Sequence, residues 1–215
     1  MKIVAKTDVG MVRESNQDSY TTGELPNGVA WAVVCDGMGG AAGGNVASST
    51  AVKVIAEQIT SSFRPGMSAN SIKNMMVSAI NAANISVYDI SCSNSELYGM
   101  GTTVVCAIVM EHTAYIAHAG DSRAYIVSHG ALTQLTRDHS VVQELVEHGK
   151  ITALEAQRHP NKNIITRAVG VSREILVDFS EQEMKDGDVL LLCTDGLTNF
   201  VESDEMCDLT KDDMF

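Results

Sequence analysis

Nothing in this chain is built to cross a membrane, and little in it suits a nucleic-acid groove. No run approaches the roughly 18 consecutive apolar residues of a membrane span. The opening stretch "MKIVAKTDVG" lacks the apolar centre of a signal peptide. Basic residues are scarce: 15 Lys and Arg stand against 27 Asp and Glu, and the formal net charge of -12 opposes binding to DNA, RNA or anionic lipid. Such a chain still holds phosphate wherever a metal or an arginine inverts the field at one spot. The five cysteines, Cys35, Cys92, Cys106, Cys193 and Cys207, are odd in number and contain no CxxC pair. That argues against a zinc site or a disulfide framework, and for reduced thiols in a cytoplasmic protein. The three prolines, Pro26, Pro65 and Pro160, all fall between periodic segments, and there is no repeat or low-complexity tract. A single domain over residues 1–215 is the expectation.

The apolar content is 45 %, enough for a sizeable core at this length. Short runs rich in Val and Ile read as strands: Ile3 to Thr7, Trp31 to Cys35, Thr103 to Val109, Ala114 to His118, Ala124 to Val127 and Val189 to Cys193. The runs between Thr103 and Val127 are only a few residues apart, too close for parallel crossovers, so antiparallel hairpins are expected. Two helices lie between the strand groups. Val46, Ala47, Ala51, Val54, Ile55 and Ile59 share one face of the first, and Ile72, Met76, Ala79, Ile80, Ala83, Val87 and Ile90 one face of the second. This order is that of an α+β fold, with helices packed on antiparallel sheets. From Asp138 to Pro160 the chain turns more polar and reads as two short helices broken at Gly149-Lys150, an insertion between strands.

The stretch "AWAVVCDGMGGAAGGNVASS" (Ala30 to Ser49) ends an apolar run on a lone acid, Asp36, followed by glycines. Gly37 to Ala42 fit G-x-G-x-x-A, with Glu57 about 20 residues on, as a dinucleotide fingerprint asks. Against that reading, Asp36 would face a pyrophosphate with its charge, and no second βαβ unit follows. An aspartyl-phosphate mechanism would need a second acid in "CDGMG", and there is none. A metal site explains more. Asp195 in "LLLCTDGLTNF" also ends an apolar strand before a glycine, Asp121 in "AHAGDSRAY" sits in a turn between strands, and Asp18 in "RESNQDSY" precedes a strand-like stretch. An isolated Asp-Gly is ordinarily a turn. Four acids at strand ends, converging at one edge of a sheet sandwich, would instead hold Mg²⁺ or Mn²⁺ through oxygen ligands.

At these residues the sequence resembles the metal-dependent protein serine/threonine phosphatases of the PPM, or PP2C-type, family in its bacterial form. The resemblance is an ordered set covering essentially the whole chain: "TDVGMVRESNQDS" (Thr7 to Ser19), "VCDGMGG" (Val34 to Gly40), "GMGTT" (Gly99 to Thr103), "HAGDSRAY" (His118 to Tyr125), "LTRDHS" (Leu135 to Ser140), "ITRAVG" (Ile165 to Gly170) and "GDVLLLCTDGL" (Gly187 to Leu197). It implies a β-sandwich of two antiparallel sheets flanked by α-helices, with a binuclear Mn²⁺ or Mg²⁺ centre at one end and a third, weaker metal site. Asp36 matches the carboxylate that bridges both metals, the Gly37 carbonyl a ligand of one, and Asp195 a ligand of the other. Asp18 matches an acid reaching a metal directly or through water, and Asp121 an acid near the third site. Arg13 matches the arginine that grips the substrate phosphate, as a planar fork suits two phosphate oxygens. Residues of about 140–163 match a flap subdomain that tunes substrate access. The implied reaction is attack of water on phosphorus without a phospho-enzyme. The implied partners are phosphorylated proteins, substrates of a serine/threonine kinase, met by a cytoplasmic monomer.

Three departures from the family pattern are visible. Met38 stands where many eukaryotic relatives place a proton-donating histidine, and Gln17 where some have Glu. His118 and His139, both within motifs, read as structural, or as supports behind the metal ligands, rather than as catalytic. After "TDGLTNFVES" the expected final strand with its Asp-Asn pair is missing, and Asp212 and Asp213 in "DEMCDLTKDDMF" are not taken as replacements for that ligand. A weakened metal site, a dimer or a domain swap, and a phosphoprotein-binding module without turnover are the corresponding alternatives.

Overall fold

Strand β2 (Val29–Met38) sets the layering. Side chains alternate across a strand, and here both faces are apolar. Val29, Trp31, Val33 and Cys35 join the core beneath two long helices. Val34, from the opposite face, packs toward a second sheet. Strand β4 (Val104–Met110) and strand β5 (Thr113–Ala119) repeat the pattern. Val104, Cys106, Ile108, Tyr115 and Ala117 face the helices, while Val105, Ala107 and Ile116 face the other sheet. This computed structural model describes residues 1–210, apart from the side chains of Ala41, Ala42 and Leu209.

The larger sheet is antiparallel in the order β1-β2-β4-β5-β8, where β1 is Asp18–Leu25 and β8 is Asp178–Glu183. The short strand β3 (Gly101–Thr102) pairs with the end of β2. The smaller sheet has the order β7-β6-β9, from β6 (Arg123–Ser128), β7 (Ala131–Gln134) and β9 (Val189–Cys193). Ala124, Leu190 and Leu192 turn inward to meet Val105, Ala107 and Ile116. The architecture is the expected α+β sandwich of two antiparallel sheets flanked by helices. The expected lack of a final strand concerns chain beyond residue 210, and Asp212 and Asp213 lie outside the described residues.

Helices α1 (Gly40–Ser62) and α2 (Ala69–Ser93) cover the outer face of the larger sheet. Ala47, Ala51, Ile55 and Ile59 line the inner stripe of α1, spaced by four residues. Ile72, Met76, Ile80, Ala83 and Val87 do the same for α2. Each fully buried isoleucine contributes about 1.5–3 kcal/mol. The insertion forms α3 (Val141–Glu147) and α4 (Ala153–Gln157), each started by a hydroxyl cap, Ser140 and Thr152, and broken at Gly149-Lys150 as the sequence suggests. An isolated bridge between Ser140 and Ile165 closes its two ends together.

One expected strand is absent. Ile3 to Thr7 lies outside any strand and is largely exposed, because no neighbouring strand among the described residues supplies hydrogen bonds to it. β7 and β8 were not legible as strands; β8 is an edge, "DFSEQE", whose polar residues hide the period.

A buried amide holds the segment that follows the insertion. Asn84, 1 % exposed on α2, donates through Nδ2 to the carbonyls of Ser172 and Arg173 and accepts the Gly170 N–H through Oδ1 at 2.7 Å. Asn84→Ala strands these buried groups, at about 1–3 kcal/mol for each one left unpaired. The expected outcome is a lower denaturation midpoint and faster hydrogen exchange at the Gly170 amide; unchanged exchange there would show that the amide is held otherwise.

Candidate active site

The antiparallel register carries four acids to one end of the sandwich. Asp18 opens β1 opposite Asp36 on β2. Val34 of β2 pairs with Val105, next to Val104 at the start of β4, and Val104 pairs with Ala119 at the end of β5. The turn that follows holds Asp121, and it leads to Arg123, opposite Cys193 at the end of β9. Asp195 comes two residues later, as the first residue of helix α5 (Asp195–Thr198). β2 runs on to Met38, so Asp36 lies inside a strand rather than at its end, with Gly37 opposite Thr102 of β3.

Gly37 answers to packing rather than to flexibility. A Cβ on it would lie 2.0 Å from the Gly44 carbonyl oxygen and 2.8 Å from the Gln17 carbonyl oxygen. The first turn of α1 therefore rests directly on the backbone beside Asp36. Gln17 secures that turn by donating from Nε2 to the Gly40 carbonyl at 2.6 Å, a task for an amide rather than for the glutamate of some relatives.

Hydroxyls and amides hold the acids in place. The Thr194 hydroxyl donates to Asp18 Oδ2 at 2.8 Å. The Asp36 N–H donates to Thr103 Oγ1 at 2.9 Å, and the Asp36 carbonyl accepts from the Thr103 N–H and from the Thr102 hydroxyl. Thr103 Oγ1 lies 2.6 Å from Ser122 Oγ, beside Asp121. Asn199 Nδ2 donates to Asp195 Oδ2 at 3.0 Å. Sequence reading picked out the acids and passed over these partners, although "GTT" and "CTD" place a threonine within the same motifs.

The electrostatics are those of crowded negative charge. Burial, then repulsion from Asp18, Asp195 and Asp121, pushes the Asp36 carboxyl up to about 8. Burial, then Asp195 and Asp138, lifts Asp121 to about 6. Burial raises Asp18 as well, against the pull of the Thr194 hydroxyl and of the Arg13 guanidinium. Arg13 is exposed on the segment leading into β1, with its charge felt at Asp18. The structure thus gathers Asp18, Asp36, Asp121 and Asp195, with Gly37 in the adjoining backbone and Arg13 at the rim. An all-oxygen donor set with unbalanced negative charge fits hard divalent cations such as Mg²⁺ or Mn²⁺ rather than zinc. A groove of about 300 Å³ begins at Met38 and is lined by Ile165, Ala168, Val171, Ile175 and Leu176.

A separate cluster, His118, His139 and Asp178, places one ligand-type atom from each residue within 4.8 Å of the others. Its hydrogen bonds do not suit a cation. The Gly120 N–H donates to His139 Nδ1 at 3.0 Å, which leaves the ring proton on Nε2, pointing to Asp178 Oδ2 at 3.1 Å. His118 Nε2 donates to the Arg137 carbonyl at 2.9 Å. The rings stack 4.8 Å apart, and burial lowers the pKa of both. Both rings are held by these bonds, His118 to Arg137 and His139 to Gly120 and Asp178. Of the five free cysteines, Cys35, Cys106, Cys193 and Cys207 are buried.

The protein phosphatase 2C family model matches residues 12–214 of this chain. The serine/threonine phosphatase stp of Listeria monocytogenes is 38 % identical over 206 residues, which are 96 % of this chain and 81 % of that protein. Protein phosphatase PhpP of Streptococcus pneumoniae is 35 % identical over 215 residues, 100 % of this chain and 86 % of that protein. The solved structure of the S. agalactiae serine/threonine phosphatase superposes with a TM-score of 0.90 at 33 % identity, covering 98 % of this chain and 86 % of that one.

The raised carboxyls set one part of the pH response of the chain in EDTA. Asp36 and Asp121 take protons more readily in the folded chain than an ordinary aspartate, at 3.8, does. At these two carboxyls the folded state therefore holds more protons than the unfolded one between about pH 4 and pH 8, and their contribution to stability falls as pH rises through that window, while the lowered His118 and His139 act in the opposite direction up to their ordinary value of 6.5. Thermal unfolding at about pH 7 and pH 8, where both histidines are already largely neutral, should show the loss from Asp36, and added Mn²⁺ should reverse it. Asp36→Asn should melt higher than the unaltered chain in EDTA at pH 8, where about 1 kcal/mol reads as about 2–4 °C. A lower melting temperature for that variant would contradict the crowding.

Proposed function

This chain belongs to the protein phosphatase 2C family, whose reaction is metal-dependent dephosphorylation of serine and threonine on proteins, and we propose that it carries out this reaction at the acid centre around Asp36. The observation that carries the reading is the convergence of Asp18, Asp36, Asp121 and Asp195 from four places in the chain onto one end of the sandwich, where burial and then the neighbouring acids raise the carboxyls of Asp18, Asp36 and Asp121. Asp36, Asp18, Asp195 and the Gly37 carbonyl would hold two divalent ions, Mn²⁺ or Mg²⁺, and Asp121 would face a third, weaker site. Such ions, when bound, supply the positive charge that acidifies water and neutralises phosphoryl oxygens.

The chain's own part is positional. Thr194 orients Asp18, and Thr103 locks the Asp36 backbone, so the carboxylates would meet a cation with little reorganisation. Arg13, exposed at the rim, binds two oxygens of the incoming phosphate through its planar fork. Met38 carries no ionisable proton, so no side chain at that position donates to the leaving alkoxide. The insertion at about 140–163 stands as a flap over substrate access, linked back to the site where Lys162 Nζ donates to Asn199 Oδ1 at 3.3 Å. Substrates are proteins phosphorylated by a serine/threonine kinase. The proposal places the chain in the cytoplasm as a monomer; no helix among the described residues is long and apolar enough to cross a membrane. The gathered acid set favours turnover over a non-catalytic phosphoprotein-binding role.

Hydrolysis of a phosphothreonine peptide is the direct test. Turnover with Mn²⁺ should vanish in EDTA and fall more than about 100-fold in Asp36→Asn. Arg13→Ala should lower kcat/KM by about 10–100-fold, mainly through KM, for the loss of about 1.5–3 kcal/mol of charge-assisted hydrogen bonding. Metal-independent turnover, or full activity of Asp36→Asn, would refute the assignment.

A further inference from the structure

We propose that His139 is the positioning residue of the Asp121 turn, and that it works through an unprotonated Nδ1. The proposal rests on the reading of Asp121 as a cation-facing carboxylate. The turn Gly120-Asp121-Ser122 links β5 to β6 and is pressed against Thr103, the residue before β4: Gly120 has φ +113°, and a Cβ on it would lie 2.7 Å from the Thr103 side chain. Its far side is held by His139 alone among the described residues, through two bonds. The Gly120 N–H donates to His139 Nδ1 at 3.0 Å, and the His139 N–H donates to the Gly120 carbonyl at 2.9 Å.

The rest of the imidazole is committed to keeping that acceptor in place. The His139 side chain is 1 % exposed, so water has no access to replace it. Its Nε2 proton meets Asp178 Oδ2, and Asp178 Oδ1 is gripped by Arg167 at 2.6 Å. The His118 ring is stacked on its face. Of the charged groups around it, Arg167 and His118 oppose a second ring proton and Asp178 favours one, while burial weighs against it. The ring thus presents a lone pair, not a proton, to the Gly120 amide. The His139 carbonyl also accepts the Thr166 N–H at 2.8 Å, and the next residue, Ser140, caps α3. One buried residue therefore joins the Asp121 turn, the inserted helices and the Ile165–Gly170 segment. Neither the acid inventory nor the phosphate-gripping arginine assigns it this task.

Two substitutions separate positioning from packing. In His139→Asn the amide oxygen takes the place of Nδ1 as acceptor, whereas His139→Leu has no acceptor. Both should melt lower than the unaltered chain, since both lose the stack and the bond to Asp178. Calorimetric Mn²⁺ titration of the metal-free chain, with no substrate present, should divide them. His139→Leu should weaken binding by about 10–100-fold, and His139→Asn should recover most of that loss; the Mn²⁺ concentration for half-maximal p-nitrophenyl phosphate hydrolysis should follow the same order. Imidazole ¹⁵N spectra of the unaltered chain should show His139 protonated at Nε2 only. Should the leucine variant not fold, His139→Gln, whose amide reaches the Nε2 place instead, takes its role. Equal Mn²⁺ binding by the Asn variant and the Leu or Gln variant, or a proton on Nδ1, would overturn the proposal. If the unaltered chain bound no Mn²⁺ at all, the cation reading of Asp121 would fall first, a result the ring spectrum reads separately.

Discussion

Like-charge repulsion among carboxylates at one end of the sandwich is the constraint on which the rest of the structure depends. Left alone, Asp18, Asp36, Asp121 and Asp195 oppose burial and oppose one another, so Asp36 is pushed up to about 8 and Asp121 to about 6. A fold keeps such a cluster only if the remaining contacts over-determine it. Here the larger sheet is apolar on both faces, with helices above and the smaller sheet below. The stability lies in those layers, and the acids sit at one end of the sandwich, where few apolar contacts are forfeited. A divalent cation turns the same repulsion into attraction, which makes the cluster a binding site rather than a flaw.

The second layer of the site is neutral. Thr194, Thr103, Ser122 and Asn199 touch the acids or the turns that carry them, and His139 reaches the Asp121 turn from behind as a neutral ring. Neutral donors and acceptors fix direction without adding charge to a centre whose charge is to be balanced by ions. Arg13 is the exception and stands at the rim, where a cation is useful to an incoming phosphate. The contact of Gly37 with Gly44 serves the same end by steric means: no side chain stands between the first turn of α1 and the backbone beside Asp36.

Much of this was legible in the sequence because burial leaves a period. β2, β4, β5, β6 and β9 are interior or doubly covered strands, and their Val, Ile and Leu runs mark them to within a residue, except at β2, which extends two residues before and three after its run. The inner stripes of α1 and α2 were likewise visible at helical spacing. What escaped is the polar edge. β8 gains its strand character from pairing with β5 rather than from its own composition, and Ile3 to Thr7 shows the converse, an apolar pattern without a partner. The acids stood out because an aspartate ending an apolar run is costly and therefore informative. The hydroxyls beside them did not, since threonine is at home in any strand. Nor does any spacing rule show that His139 would reach Gly120, a contact between residues nineteen positions apart that only the folded chain creates.

Diffraction from crystals of this chain grown with Mn²⁺, recorded for anomalous scattering, tests the central claim most directly. The account predicts peaks flanking the Asp36 carboxylate, within reach of Asp18 and Asp195, and none between His118, His139 and Asp178. Manganese among the histidines, or no ordered manganese beside Asp36 under conditions where the chain hydrolyses phosphothreonine, would contradict it.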